Sequence, residues 1–173
     1  MQLIDKAMLS SSAVLVLTIL HHLYGAILYS TPWRVHVVFF VGPVLLLLAA
    51  AWLINRSSKA GIARTLSKWI FVLISATVAV GLIGLFEGGY NHALKNVFYF
   101  GGASAETLSF LFPPPTYEMP NDALFEITGV AQFFIAVWSA FHLVGLARTS
   151  RGDSDDITRL NVDSNLGEAI RHV

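Results

Sequence analysis

Long apolar segments alternate with short polar ones along this chain. Four segments carry hardly any charged side chains, namely residues 7–30, 35–54, 69–86 and 123–147. A hydrocarbon core about 30 Å thick is crossed by about 20 apolar residues in a helix. Each segment is near or above that length and too uniformly apolar for the core helix of a small soluble domain. The pattern predicts an all-α polytopic integral membrane protein, with a bundle of four transmembrane helices in residues 1–150.

The first apolar segment has one alternative reading, a secretory signal peptide, because Lys6 precedes it. Its apolar stretch is longer than the apolar region of a typical signal peptide, and no small-x-small cleavage site follows it. Two histidines also lie within it. These features favour a retained transmembrane helix.

The distribution of lysine and arginine predicts the orientation. The side of the bundle that carries both termini has Lys6, Arg56, Lys59, Arg64, Lys68, Arg148 and Arg151 near the spans. The other side has only Arg34 and Lys95. Cytoplasmic loops carry the excess of positive charge. Both termini are therefore predicted to be cytoplasmic, and residues 88–121 are predicted to form an outer loop that partly caps the bundle.

Composition narrows the classes of function. Charged residues make up 13% of the chain, whereas soluble domains carry roughly 25%. The net charge of zero gives no basic surface for nucleic acid. The absence of cysteine excludes disulfides, thiolate metal sites and thiol catalysis. The expected partner is the lipid bilayer, with a homo-oligomer or a larger membrane complex as further candidates.

The segments that flank the fourth span have their own signals. Residues 151–173 are polar and predict a disordered or loosely helical cytoplasmic tail, whose His172 carries no functional weight. Pro113–Pro115 favour an extended conformation. Asn121 is the predicted N-cap of the fourth span, with Asp122 favourably placed at the positive end of the helix dipole.

Ionisable side chains from separate segments are predicted to meet in the outer layer of the bundle. The carboxylates are those of Glu87, Glu106, Glu118, Asp122 and Glu126, and the imidazoles are those of His21, His22, His36 and His92. Ionisable groups at membrane depth are costly and mark functional sites. This convergence is the main functional signal of the sequence.

His22 is the predicted inward member of the pair His21–His22. Adjacent helical residues point about 100° apart, so the two are not expected to face one partner. A stripe of polar or small residues includes His22 and marks a face turned toward other helices: Ser11, Thr18, His22, Gly25 and Tyr29.

Glu87 is predicted to need a specific partner. It ends the third span, where the helix dipole disfavours a carboxylate. The candidates for that partner are Lys95, His92 and a bound cation. Gly88 and Gly89 are predicted to break the helix, so that Glu87, Tyr90 and His92 turn over the mouth of the bundle.

The first functional hypothesis is metal binding. The predicted ligands of a divalent transition metal are His22, Glu87, His92 and Glu126, since imidazole nitrogen and carboxylate oxygen suit such ions. The predicted ligand-binding residues beside them are Tyr90, Asn91, Lys95 and Gln132. The separation of five residues between Glu87 and His92 would be unfavourable on a continuous α-helix. An open position on the metal would support hydrolysis or oxygen chemistry, but the pattern indicates no substrate.

Two alternatives come from other classes of protein. Intramembrane histidine and glutamate also suit a proton-coupled transport module. Such a module would need a dimer, and the inner half of the bundle is expected to lack the polar residues that would continue a proton path. The other alternative is an accessory or scaffold subunit of a membrane complex. Haem ligation by His22 with His142 is excluded, because helix rise separates them by roughly 15–20 Å in depth. A haem pair of His21 or His22 with His36 or His92 stays open.

Overall fold

Five helices make up most of the described part of the chain in the computed structural model, which describes residues 2–114 and 117–171, with side chains through residue 149. They are α1 (Leu3–Leu28), α2 (His36–Ser57), α3 (Ile62–Phe100), α4 (Ala105–Leu111) and α5 (Ala123–Arg171). A short 3₁₀ turn, Pro32–Val35, leads into α2. α1, α2, α3 and the Ala123–Thr149 part of α5 are long and apolar enough to cross a membrane. The prediction of an all-α chain with four such helices is confirmed.

The long helices pack into a bundle in which α1 contacts the other three. α5 lies against α1 and α3, and α2 covers α1 and the first part of α3. Apolar side chains such as Phe39, Leu46 and Phe141 are exposed on the outside of the bundle, whereas Leu15, Leu48 and Phe71 are among those that fill the interior. We call the end where α1 finishes, near Leu28, the site end.

Hydrogen bonds between polar side chains join α1 to α5 along most of their contact. The pairs are Ser10–His142, Ser11–Ser139, Thr18–Gln132, His21–Thr128 and Tyr24–Asp122. Polar groups away from water need such partners, so the ladder fixes the register of the two helices. The expectation that the half of the bundle away from the site end lacks polar residues is wrong, because isolated serines on apolar helices pair at this interface.

The predicted break at Gly88 and Gly89 is also wrong. α3 runs through both glycines to Phe100, so the loop begins at Gly101 rather than at residue 88. A Cβ atom on Gly88 would lie 2.6 Å from the backbone nitrogen of Phe133 in α5. A Cβ atom on Gly84, one turn earlier, would overlap the Cβ atom of Ala136 in α5. These glycines let two helix backbones approach closely, as small residues do in membrane bundles.

The start of α5 differs from the prediction by one residue. The backbone N–H of Phe125 donates to Oδ1 of Asp122 at 2.8 Å, so Asp122 is the N-cap. Asn121 instead accepts a hydrogen bond from the Tyr29 hydroxyl at 2.6 Å. Asp122 rather than Asn121 is the N-cap because α5 begins at Ala123, immediately after Asp122.

α5 continues far beyond the predicted span. The backbone is helical to Arg171, so the predicted tail is helical over its described residues. His172 and Val173 lie outside the described residues, as do Pro115 and Thr116. The expected extended conformation at Pro113–Pro115 therefore falls partly outside them.

Candidate metal centre

Three side chains at the site end could hold a metal ion together. One ligand atom from each of His21, His22 and Glu87 lies within 4.8 Å of the other two. α1 supplies the two histidines, and α3 supplies the glutamate. A tetrahedral zinc site would bring such atoms to about 3.3 Å from one another. Small side-chain rotations would therefore close the site around an ion.

The structure corrects the preference for His22 over His21. His21 is 1% exposed, and its ring stacks on Phe125 with centroids 4.1 Å apart. His22 approaches Glu87 on α3, with Nε2 3.8 Å from Oε1. α1 packs against α5 on one face and against α3 on the neighbouring face. His21 and His22 point about 100° apart, so His21 contacts α5 and His22 contacts α3. Thr18, His21 and Gly25 are all buried. Their separations of three and four residues place them on one helix face, and this spacing was the sequence signal for His21.

The hydrogen bonds of the two histidines leave the same nitrogen available. The Thr128 hydroxyl donates to the Leu124 carbonyl, so it accepts from Nδ1–H of His21 at 2.9 Å. Nδ1–H of His22 donates to the Thr18 carbonyl at 3.1 Å. In the neutral imidazole the other nitrogen then carries a lone pair. Nε2 of His21 is buried without a hydrogen-bond partner, and it is the nitrogen that suits a metal.

Glu87 lies in the interior of α3, not at its end. The helix continues 13 residues further to Phe100, so the helix-dipole argument does not apply to it. Asn91 donates to Oε2 at 2.7 Å, and Nε2 atoms of His22 and His92 lie 3.8 and 3.7 Å from Oε1. Among the residues that the structure describes, no lysine or arginine forms an ion pair with Glu87. A carboxylate at this depth is thus surrounded by imidazoles and an amide.

A widened helix brings Glu87 and His92 together. Residues Ser75–Leu94 within α3 form a π-helix, in which backbone hydrogen bonds link residues five apart. This winding places residues at a separation of five on nearly the same face. Glu87 and His92, five residues apart, would point away from each other on an α-helix. Here they are in contact although the helix is continuous.

Glu126 lies behind His92 rather than within the triad. Oε1 accepts from Nζ of Lys95 at 2.9 Å. Oε2 accepts from Nδ1–H of His92 at 2.9 Å and from the Asn96 amide at 2.7 Å. Of the four predicted metal ligands, His22 and Glu87 belong to the triad, His92 borders it, and Glu126 contacts it only through His92.

The four predicted ligand-binding residues all have partners within the protein. Tyr90 donates to the Leu111 carbonyl at 2.7 Å, and Lys95 donates to the Glu118 carbonyl at 2.5 Å as well as to Glu126. Asn91 holds Glu87, and Gln132 accepts from the Thr18 hydroxyl at 2.8 Å. Tyr90 and Lys95 thus anchor the segments between α3 and α5. A ligand-binding role for these four residues stays a prediction.

The segment before α5 covers the site end. Arg34 is buried, lies 3.7 Å from Glu118 and packs over the ring of Phe125. Tyr117 packs against Tyr90, and burial raises the pKa of its phenol, with smaller contributions from Tyr90 and Glu87. The phenol therefore stays protonated beside the site.

Three other ionisable residues form no hydrogen bond or ion pair with the triad. His36 is exposed and stacks on Trp33. Glu106 is exposed in the first turn of α4. His142 contacts Ser10 and Trp138 at the opposite end, and its predicted separation from the cluster is confirmed.

Comparison with protein-family models, curated proteins and solved structures yields no significant match to this chain.

Proposed function

We propose that the chain is a polytopic integral membrane protein that binds a divalent transition-metal ion through His21, His22 and Glu87. The observation that carries the proposal is the environment of Glu87. Its carboxylate lies inside a membrane-length helix, faces imidazole nitrogens and forms no ion pair with a described lysine or arginine. Buried charges are paired or coordinate metals. A cation held together with the histidines supplies that compensation.

The donor set defines the class of ion. Two imidazole nitrogens and one carboxylate oxygen suit zinc, iron, copper or nickel, whereas calcium and magnesium prefer oxygen ligands. Zinc bound by two histidines and a glutamate keeps a fourth position open for water. Two histidines and one carboxylate also form the ligand set of non-haem iron oxygenases. The triad thus supplies three ligands and leaves a fourth coordination position for water or for a further protein side chain.

The bilayer is the partner that this proposal requires. Four membrane-length helices and exposed apolar side chains suit a chain that spans it. The excess of lysine and arginine near the termini and the α2–α3 connection orients both termini toward the cytoplasm. The triad then lies in the outer half of the membrane.

Elemental analysis of the detergent-purified protein tests the proposal. The wild-type chain should carry close to one equivalent of a transition metal after loading and desalting. His21→Ala, His22→Ala and Glu87→Gln should each lose most of it, because each removes one of three ligands.

The chain offers matched controls in two histidines outside the triad. His36→Ala and His142→Ala should retain the wild-type metal content, since neither side chain approaches Glu87. A wild-type protein that holds no metal after loading would refute the proposal. Equal losses in the control variants would show that the metal binds elsewhere.

A further inference from the structure

His92 places a third imidazole against the carboxylate of Glu87. Its Nε2 lies 3.7 Å from Oε1, the same oxygen that Nε2 of His22 approaches at 3.8 Å. Its ring also meets the ring of His21 edge-on, with centroids 4.7 Å apart. His92 is 2% exposed. His21, His22 and His92 therefore surround one carboxylate.

Each of the three imidazoles is oriented in the same way. Nδ1–H donates to Thr128 from His21, to the Thr18 carbonyl from His22 and to Glu126 from His92. The acceptors are a hydroxyl, a backbone carbonyl and a carboxylate, so the shared orientation does not come from one repeated motif. Metal-ligating histidines almost always donate their other N–H to such a group.

Glu126 is held in place by other donors. Lys95 donates to Oε1, and Asn96 shares Oε2 with His92. The positive charge of Lys95 balances this carboxylate, so it does not need a metal for compensation. Glu126 is thereby committed to orienting His92, while Glu87 has imidazoles and an amide beside it and no described lysine or arginine within ion-pair distance.

The bundle also leaves a space for the His92 ring. A Cβ atom on Gly129 would overlap Cγ, Cδ2 and Nδ1 of the imidazole. Only glycine at this position of α5 lets the ring lie between the two helices. The place of His92 is therefore determined by hydrogen bonding and by packing.

We propose that His92 is a fourth protein ligand, through Nε2, of the metal held by His21, His22 and Glu87, and that Glu126 positions it. The inference rests on the metal site proposed above and extends it to three nitrogens and one oxygen. This set strengthens the preference for zinc, copper, nickel or iron over magnesium and calcium. Lys95 supports the arrangement through Glu126.

X-ray absorption spectroscopy of the zinc-loaded, detergent-purified full chain tests the inference, because outer-shell scattering counts imidazole ligands. The wild-type spectrum should require three imidazoles, and that of His92→Gln should require two. Glu126→Gln should keep the wild-type number of oxygen ligands, since Glu126 does not touch the metal. Its zinc affinity should fall by about 10- to 100-fold, the usual effect of removing an orienting carboxylate.

Asp122→Asn is the matched control for Glu126→Gln. It changes the carboxylate at the N-cap of α5, one turn before Glu126, which contacts Tyr24 rather than a histidine, and asparagine is also a good N-cap. Zinc affinity should not change in this variant. Circular dichroism and gel filtration in detergent select the variants that keep the fold.

The outcomes separate this inference from the metal site itself. Two imidazoles in the wild type, with unchanged zinc affinity in His92→Gln, would overturn the role of His92 and leave the triad standing. Loss of an oxygen ligand in Glu126→Gln would make Glu126 a ligand and overturn its positioning role. A wild-type chain that binds no zinc would overturn both proposals together.

Discussion

At the scale of single residues, the surroundings of Glu87 decide the chemistry of the site. Its carboxylate contacts Asn91 and the Nε2 atoms of His22 and His92. A neutral amide and two imidazoles compensate a partly buried charge only if a proton or a metal ion joins them. Hydrogen bonds donated by Nδ1–H leave Nε2 of each ring on the side of this carboxylate, which is the arrangement that a shared metal ion requires.

Sequence reasoning could find Glu87 and His92 because charged groups are rare in apolar segments. Sequence reasoning missed His21 because His21 and His22 point to neighbouring faces of α1. His21 lies three residues after Thr18 and His22 lies four residues after it, so both spacings fit a helix face that includes Thr18. The choice between them depends on which helices cover those faces. Here α5 covers one and α3 the other, and this is a property of the packed bundle.

Replacing Thr128 tests the orientation of His21. Thr128→Val removes the acceptor of Nδ1–H at nearly constant volume, and we expect metal affinity to fall by about tenfold. Thr77→Val is the matched control, because Thr77 also donates to the carbonyl four residues earlier but is exposed and contacts no histidine. Competition with a chromophoric chelator measures both affinities. Equal affinities in the two variants would show that Thr128 does not orient His21.

At the scale of elements, the winding of α3 and its packing on α5 bring the two halves of the site together. The π-helical segment aligns residues five apart, and Gly84 and Gly88 let α5 approach the backbone. Apolar length was enough to predict this helix from the sequence. Its continuation through Gly88 and Gly89 was not predictable locally, because glycine opposes a helix by about 1 kcal/mol and the compensating contact lies on another helix.

The two adjacent glycines make a test of this packing. Gly88→Ala would place a methyl group against the backbone of Phe133, and we expect a clear drop in the thermal unfolding midpoint and in metal content. Gly89→Ala meets only the Phe133 ring at 3.2 Å, which can move. Alanine also favours a helix over glycine, so its midpoint should stay near that of the wild type. Thermal unfolding in detergent followed by circular dichroism compares them. An equal loss in both variants would contradict the close-packing role of Gly88.

At the scale of the whole molecule, apolar surface and polar interior are arranged as a bilayer requires. Exposed apolar side chains surround the bundle, and hydrogen-bonded pairs between α1 and α5 lie inside it. The number of long helices followed from segment length alone. The internal ladder did not, because serine and threonine in an apolar segment can equally bond to their own helix.

The side of the membrane on which the site opens can be measured directly, because the chain has no cysteine of its own. Ala60→Cys lies in the connection between α2 and α3, and Ala105→Cys lies at the start of α4; both positions are exposed, and neither change alters a charge. In intact cells a membrane-impermeant maleimide should label Ala105→Cys and should reach Ala60→Cys only after permeabilisation. The reverse pattern would place the metal site on the cytoplasmic side. Labelling of both positions from one side would mean that α3 does not cross the membrane. Glu87 would then not lie within the bilayer, and its charge would not require a cation.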